Sequence, residues 1–226
     1  IECGVTTDKI TAFDHQLCHA ASAFYSSEFD NSLIVSVDGF GDDKSGGIYI
    51  GEKNNIRRLE KIPADVSAGS FYANVTGALG FKRNRHEGKV TGLAASGLGS
   101  RCEKVLREYF DLGADLRFSN RAIGERDKRA ESENMLRFLF TGKYELTDSY
   151  YQDLKSDLNR GKFQKSDVAA AAQTILEDVV SRVIDDCMCQ YRYDNLAVAG
   201  GVFANVKLNQ TISELESVKR FFVHPN

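Results

Sequence analysis

Apolar residues recur at helical spacing over residues 15–27, where Leu17, Ala20, Ala21 and Phe24 share one side and Asp14 stands at the N-cap position. The period then changes. Residues 32–38 are an apolar run rich in β-branched side chains that ends in Gly39-Phe40-Gly41-Asp42, which predicts a buried strand entering a tight glycine turn. Residues 46–51 and 55–62 predict two further strands joined by the polar tip Glu52-Lys53-Asn54. Short helical patterns over 70–80 and 87–96 flank a basic stretch at 82–86. From about 101 to 160 the chain is polar and mostly helical, with no strong strand, and reads as an α-helical insertion. An amphipathic helix follows over 166–191, with Ile175, Leu176, Val179, Val180, Val183 and Ile184 on its apolar side. Then come a strand over 195–199, the turn Gly200-Gly201, a helix over 203–215 and a strand over 220–223. Strand, glycine turn, helix and strand make a βαβ unit, which predicts an α/β fold with a parallel sheet.

With 226 residues, of which 42% are hydrophobic, the chain can build a core without disulfides or structural metals. A net charge of −3 offers no basic surface, so nucleic acid is not an expected partner. No apolar run is long enough to span a bilayer, so no membrane is expected either. Cys3, Cys18, Cys102, Cys187 and Cys189 are odd in number and follow no zinc spacing; they read as free thiols of a cytoplasmic protein. The start at Ile1 and the stop at Asn226, just after a strand-like stretch, read as cuts through a larger fold.

Four groups of residues could carry chemistry. His15 and His19 are one helical turn apart and can reach one ion, although two histidines at that spacing also arise as a plain surface pair. Asp38 ends an apolar strand, where parallel-sheet proteins place their ligands, and adds a carboxylate suited to iron, manganese or zinc. Gly39 and Gly41 can turn backbone N–H groups toward a phosphate, or simply open a hairpin. Gly200, Gly201 and Asn205 form a strand-to-helix turn that either admits a ligand or serves packing alone. Among the charged residues at 82–89, Glu87 and Lys89 open a small-residue helix, a candidate anion or substrate contact.

Taken together these segments resemble one family. His15-Gln-Leu-Cys-His19-Ala-Ala-Ser-Ala-Phe24 is similar to its H-x-x-x-H-A-A-S-A-F segment, and Val35-Ser-Val-Asp38-Gly-Phe-Gly-Asp42 to its V-D-G-x-G-D turn. Ser67-Ala-Gly69-Ser-Phe71-Tyr72, Glu87-Gly-Lys89-Val-Thr91-Gly-Leu-Ala94 and Gly200-Gly201-Val202 with Asn205 resemble its S-x-G-x-F-Y, E-G-K-x-x-G-L-A and G-G-V-x-x-N stretches. At Thr91 the family more often carries methionine. The family is that of the carbamoyltransferases of nodulation-factor, cephamycin and aminoglycoside biosynthesis.

The resemblance implies an actin-like, ribonuclease H-like two-lobed α/β fold, incomplete here and with a helical insertion. Residues 1–62 would end the first lobe, 63–165 would be the mostly helical insertion, and 166–226 would begin the second lobe. It implies an O-carbamoyltransferase: carbamoyl phosphate and ATP give carbamoyl-adenylate in a C-terminal domain of the same protein, and the carbamoyl group passes to a hydroxyl of a small molecule or sugar. Iron would be held by His15, His19 and Asp38 with a further aspartate beyond Asn226, and the adenylate would contact Gly39, Gly41, Gly200, Gly201 and Asn205. The base for the acceptor hydroxyl would precede Ile1, so this piece alone is expected to be inactive. Two other readings share part of the pattern: a hydrogenase-maturation carbamoyltransferase, and a non-catalytic actin-like module that binds metal or nucleotide.

Overall fold

The computed structural model describes residues 10–120 and 147–225. Strands β1 (Asn31–Gly41), β2 (Lys44–Glu52) and β3 (Asn55–Pro63) form an antiparallel meander. The short strands β4 (Asp111–Leu112) and β5 (Phe118–Ser119) make a separate hairpin. Strands β6 (Asn195–Ala199) and β7 (Arg220–Val223) join the main sheet on the other side of β1, with β6 parallel to β1 and β7 parallel to β6. The order is β3-β2-β1-β6-β7. Strand order therefore reverses between β1 and β6, the place where open α/β sheets bind ligands.

Helices cover both faces. Because side chains alternate along a strand, Leu33, Val35 and Val37 of β1 enter the larger apolar cluster, while Ile34 points the other way. On Ile34's side lies α1 (His15–Ser26), whose Ala20, Ala23 and Phe24 are buried against it. On the opposite side lie α2 (Ala68–Ala78) and α3 (Glu87–Ala94), followed along the chain by α4 (Glu103–Leu106), α5 (Thr147–Gly161) and α6 (Lys165–Tyr191). Phe71 and Val75 of α2 and Ile175, Leu176 and Val179 of α6 fill that cluster. Helix α7 (Val206–Ser213) contributes Leu208 and Ile212.

Three expectations change in detail. The segments 1–62 and 166–226, expected in two lobes, supply strands to one sheet: residues 33–36 pair in register with residues 196–199. A parallel partner far along the chain leaves no mark in local periodicity. The helix expected over 203–215 is broken. Gly201–Ala204 is a 3₁₀ turn, and α7 begins only after Asn205, whose Oδ1 accepts from the N–H groups of Lys207 and Leu208 at 3.1 Å each. Of the polar stretch expected as a helical insertion over 101–160, residues 121–146 lie outside the described residues, and the described parts are built into the body, since Cys102, Leu106, Tyr109, Phe110, Leu154 and Leu158 are buried in the larger cluster.

Arginines also fasten that stretch. Arg117 holds Glu60 at 2.6 Å and Asp186 at 2.8 Å, and Arg107 holds Asp111 at 2.7 Å and Asp178 at 2.9 Å. Such part-exposed pairs contribute at most about 1 kcal/mol each, whereas each large side chain buried contributes about 1.5–3 kcal/mol, so apolar packing is the main anchor. Cys18, Cys102, Cys187 and Cys189 are free thiols, and Cys187 is buried while Cys189 is exposed. Among the described residues no helix is long and apolar enough to cross a membrane.

Candidate metal and nucleotide site

Local sequence brings two histidines to one carboxylate. The Asp14 Oδ1 accepts from the Leu17 N–H at 3.0 Å and so starts α1 at His15. His15 and His19 then stand one turn apart on the same side. Asp38 follows the even-numbered series of β1, the side that faces α1, at the point where pairing with β2 lapses between Val37 and Gly41. The Asp38 Oδ2 lies 3.1 Å from the Nε2 of His15 and 3.1 Å from that of His19, and the two Nε2 atoms are 3.2 Å apart.

That triangle has a chemical meaning. An imidazole nitrogen has one in-plane direction for its proton or lone pair, so it cannot serve two partners at once. Three near-equal edges mean that the three atoms converge on a common point. With bonds of about 2.1 Å, neighbouring ligands stand about 3.0 Å apart around a six-coordinate ion and about 3.4 Å apart around a tetrahedral one. The observed edges fall within that interval, and the donor set of two imidazoles and a carboxylate suits a divalent first-row metal. Burial works against ionised Asp38, yet hydrogen bonds to His19, His15 and the Gly39 N–H outweigh it and hold the carboxyl below the ordinary carboxylate range. Asp38 is thus an anion at neutral pH, as a ligand must be.

On its other side Asp38 meets a cavity of about 470 Å³. Its Oδ1 accepts from the Gly39 N–H at 2.7 Å, and a Cβ at Gly201 would stand 3.0 Å from the same oxygen. Three helical segments bring their first turns to the wall, through Gly69 of α2, Gly88 of α3 and Gly201 of the 3₁₀ turn. The start of α2 is locked to the strand end, because the Ser67 Oγ donates to the Gly39 carbonyl at 2.6 Å and the Ser70 Oγ donates to it at 3.2 Å. A Cβ at Gly69 would fall 2.6 Å from the Gly39 nitrogen, so the contact needs glycine. Leu176, Val202 and Ala204 give the cavity an apolar wall, and Asn84, Arg85 and Glu87 give it a polar rim. Arg85 makes no ion pair among the described residues.

Of the residues singled out in the sequence, Asp38, Gly39, Glu87, Gly201 and Asn205 line this cavity, and Gly41, Gly200 and Lys89 do not. Gly41 lies against the His15 ring instead. Gly200 has φ of 105° and packs on the Val37 carbonyl, so its glycine serves the backbone. Lys89 points to solvent. The amide of Asn205 is already engaged: beyond capping α7, it exchanges two hydrogen bonds with Gln173, at 2.9 and 3.1 Å.

Gln173 belongs to a ring of polar groups beneath the cavity. The Tyr72 hydroxyl donates to the Gln173 Oε1 at 2.7 Å and lies 3.0 Å from the Thr91 Oγ1, and the Gln173 Nε2 donates to the Glu177 Oε1 at 2.6 Å. Burial pushes the Tyr72 phenol up to about 12. Neither Gln173 nor Tyr72 was singled out by motif spacing as a site residue. A glutamine on the apolar side of α6, amid Ala169–Ala172, Ile175 and Leu176, was the available signal.

The sequence profile of the family described as Carbamoyltransferase N-terminus matches residues 4–226. The chain belongs to that family. The matched span includes the polar stretch as well as every site motif. Among curated relatives, an uncharacterized protein of Methanocaldococcus jannaschii is 31% identical over 207 residues, covering 91% of this chain and 36% of that protein. An uncharacterized protein of Synechocystis is 28% identical over 94% of this chain and 33% of its own length. Nodulation protein NolNO of Sinorhizobium fredii is 27% identical over 98% of this chain and 30% of its own length. The chain spans about a third of the length of the curated relatives it matches.

Proposed function

We propose that this carbamoyltransferase N-terminus chain is the metal- and adenylate-binding lobe of an O-carbamoyltransferase. In this reading a carbamoyl group, activated as carbamoyl-adenylate from carbamoyl phosphate and ATP elsewhere in the same polypeptide, is handed to a hydroxyl of a small molecule or sugar. The carrying observation is the pairing of two sites on one carboxylate: Asp38 faces two histidines with one oxygen and a glycine-walled cavity with the other. The strand order, three antiparallel strands and then two parallel ones beyond the first, supports a single ribonuclease H-like lobe as part of an actin-like pair.

His15, His19 and Asp38 would hold a divalent ion, and a donor set of two histidines and one carboxylate with open positions favours iron. When bound, such an ion supplies Lewis-acid polarisation of a carbonyl. The chain's own residues bind and orient. A cavity of about 470 Å³ lies within the range of small-molecule sites, and its apolar wall at Leu176 and Val202 suits a nucleobase. The first helical turns that carry Gly69, Gly88 and Gly201, with the guanidinium of Arg85, favour a phosphate at the rim. Glu87 offers a carboxylate to hydroxyls there. Asn205, fixed by Gln173, sets the far wall and leaves little of its amide free for a base.

The test is turnover by the full-length polypeptide with carbamoyl phosphate, ATP and a panel of hydroxylated metabolites, followed by mass spectrometry of the acceptors. A carbamoylated product that requires both carbamoyl phosphate and ATP supports the assignment. ATP hydrolysis indifferent to carbamoyl phosphate would favour a regulatory actin-like module and sink it. The 226-residue chain alone should transfer nothing, and robust turnover by it would overturn the proposed division of labour.

A further inference from the structure

We infer that Gly41 and Asp42 are positioning residues for His15: the second half of the Asp-Gly-Phe-Gly-Asp turn grips a metal ligand and takes no part in the cavity. The inference rests on the metal reading of His15, His19 and Asp38 given above. The two glycines of the turn differ in a way their sequence does not reveal. A Cβ at Gly39 would meet nothing within 4 Å. A Cβ at Gly41 would fall on the His15 imidazole, 2.5 Å from its Cγ and 2.8 Å from its Nε2. Gly41 does not have the positive φ that would itself require glycine, so the missing side chain is there to make room for the ring.

The next residue holds the same histidine by its backbone. The Asp42 Oδ2 accepts from the His15 N–H at 2.7 Å, a donor that the first turn of a helix leaves without an internal partner. Asp42 and Asp43 have φ of 51° and 62°, the left-handed pair of a two-residue hairpin, joining Gly41 to its partner Lys44. Lys44 Nζ ties the hairpin to α1 a second time, donating to Asp14 Oδ2 at 2.6 Å. Ring and backbone of His15 are thus fixed by adjacent residues of one turn, while Asp38 at the other end of that turn is itself a ligand.

The experiment is titration of the full-length polypeptide with cobalt(II), read by the visible absorption of the bound ion and cross-checked by zinc competition. Gly41→Ala should weaken binding by roughly 10–100-fold, the range for groups that orient a ligand, and change the absorption band, while Gly92→Ala, at a helix glycine outside the cavity where a Cβ would also meet nothing within 4 Å, should match the wild type. In a His15→Ala background Gly41→Ala should cost nothing further, because the ring it displaces is gone. Asp42→Ala should weaken binding and Asp42→Asn, which keeps an acceptor oxygen, should restore most of it. Wild-type affinity in Gly41→Ala, or losses that add in the double variant, would overturn the positioning role and leave the metal site standing. No cobalt binding by the wild type, or undiminished binding by His15→Ala, would remove the metal reading and this inference with it.

Discussion

Gln173→Leu is expected to destabilise the chain by about 2–3 kcal/mol. The glutamine is 6% exposed and makes four hydrogen bonds. Tyr72 keeps its contact with Thr91, and the Asn205 oxygen keeps two backbone donors, so each of these partners loses about 1 kcal/mol. Glu177 loses a donor at 2.6 Å but retains Thr211 at 3.1 Å and some access to water, which puts its loss at about 1–2 kcal/mol. A buried leucine returns about 1 kcal/mol of apolar transfer. For a chain of this length each kcal/mol moves the midpoint by about 2–4 °C, so Tm should fall by about 4–12 °C. Urea unfolding followed by circular dichroism should show a lower midpoint at unchanged slope. Thr174, next along the helix but exposed, is the control: Thr174→Val should stay within about 0.5 kcal/mol. If Gln173→Leu is no worse than that control, the polar ring is not closed as described.

Three further outcomes follow from the site. His15→Ala, His19→Ala and Asp38→Ala should each lose most of the bound metal and nearly all carbamoyl transfer while adenylate formation survives; metal analysis of the full-length variants checks this, and retention of metal by all three would move the site elsewhere. Arg85→Gln should abolish the preference of the cavity for AMP over adenosine without weakening adenosine, as read by calorimetry, and a preserved preference would place the phosphate away from Arg85. Tyr72 has its pKa raised by burial, so its contribution to stability is fully present below the ordinary phenol range near 10 and is lost as pH climbs through about 12. Tyr72→Phe should therefore lose less stability than the wild type between those values, measured by urea unfolding across alkaline pH, and parallel curves would contradict the assignment.

The parts legible in the sequence are those fixed by short-range pattern. The spacing of His15 and His19, the N-cap at Asp14 and the period-two alternation of β1 are enough to aim Asp38 at α1. Gly41 was a different matter, because a glycine in a turn does not announce which neighbour occupies the space its side chain would fill. The burial of Leu106, Tyr109 and Phe110 went unseen because apolar residues in that polar stretch follow no single period. Asn205 reads as the residue that opens the helix after the glycine turn, and the bonds its oxygen accepts from Lys207 and Leu208 bear that out; its engagement by Gln173, which takes up its amide, leaves no mark in the sequence. Gln173 carried a signal, a polar residue on an apolar helix face, but its meaning lay in Tyr72 and Asn205, which come from other elements.

The pairing of β1 with β6 has a kinetic consequence. Ile34 finds Tyr49 across a short hairpin, whereas its other neighbour, Ala197, arrives only after most of the chain has been made. Closing so long a loop costs entropy before any contact repays it, so pairings of this kind form late. His15, His19 and Asp38 lie within α1 and β1 and belong to the early, local part of the structure; the cavity, which needs Gly201 and Asn205, belongs to the late part. In pulse-labelling hydrogen exchange, protection at the β1–β2 ladder should precede protection at residues 196–198, and simultaneous protection would contradict this order. A chain arrested between the two events would present a formed histidine–aspartate cluster beside an unfinished sheet, with the edge of β1 open to other strands.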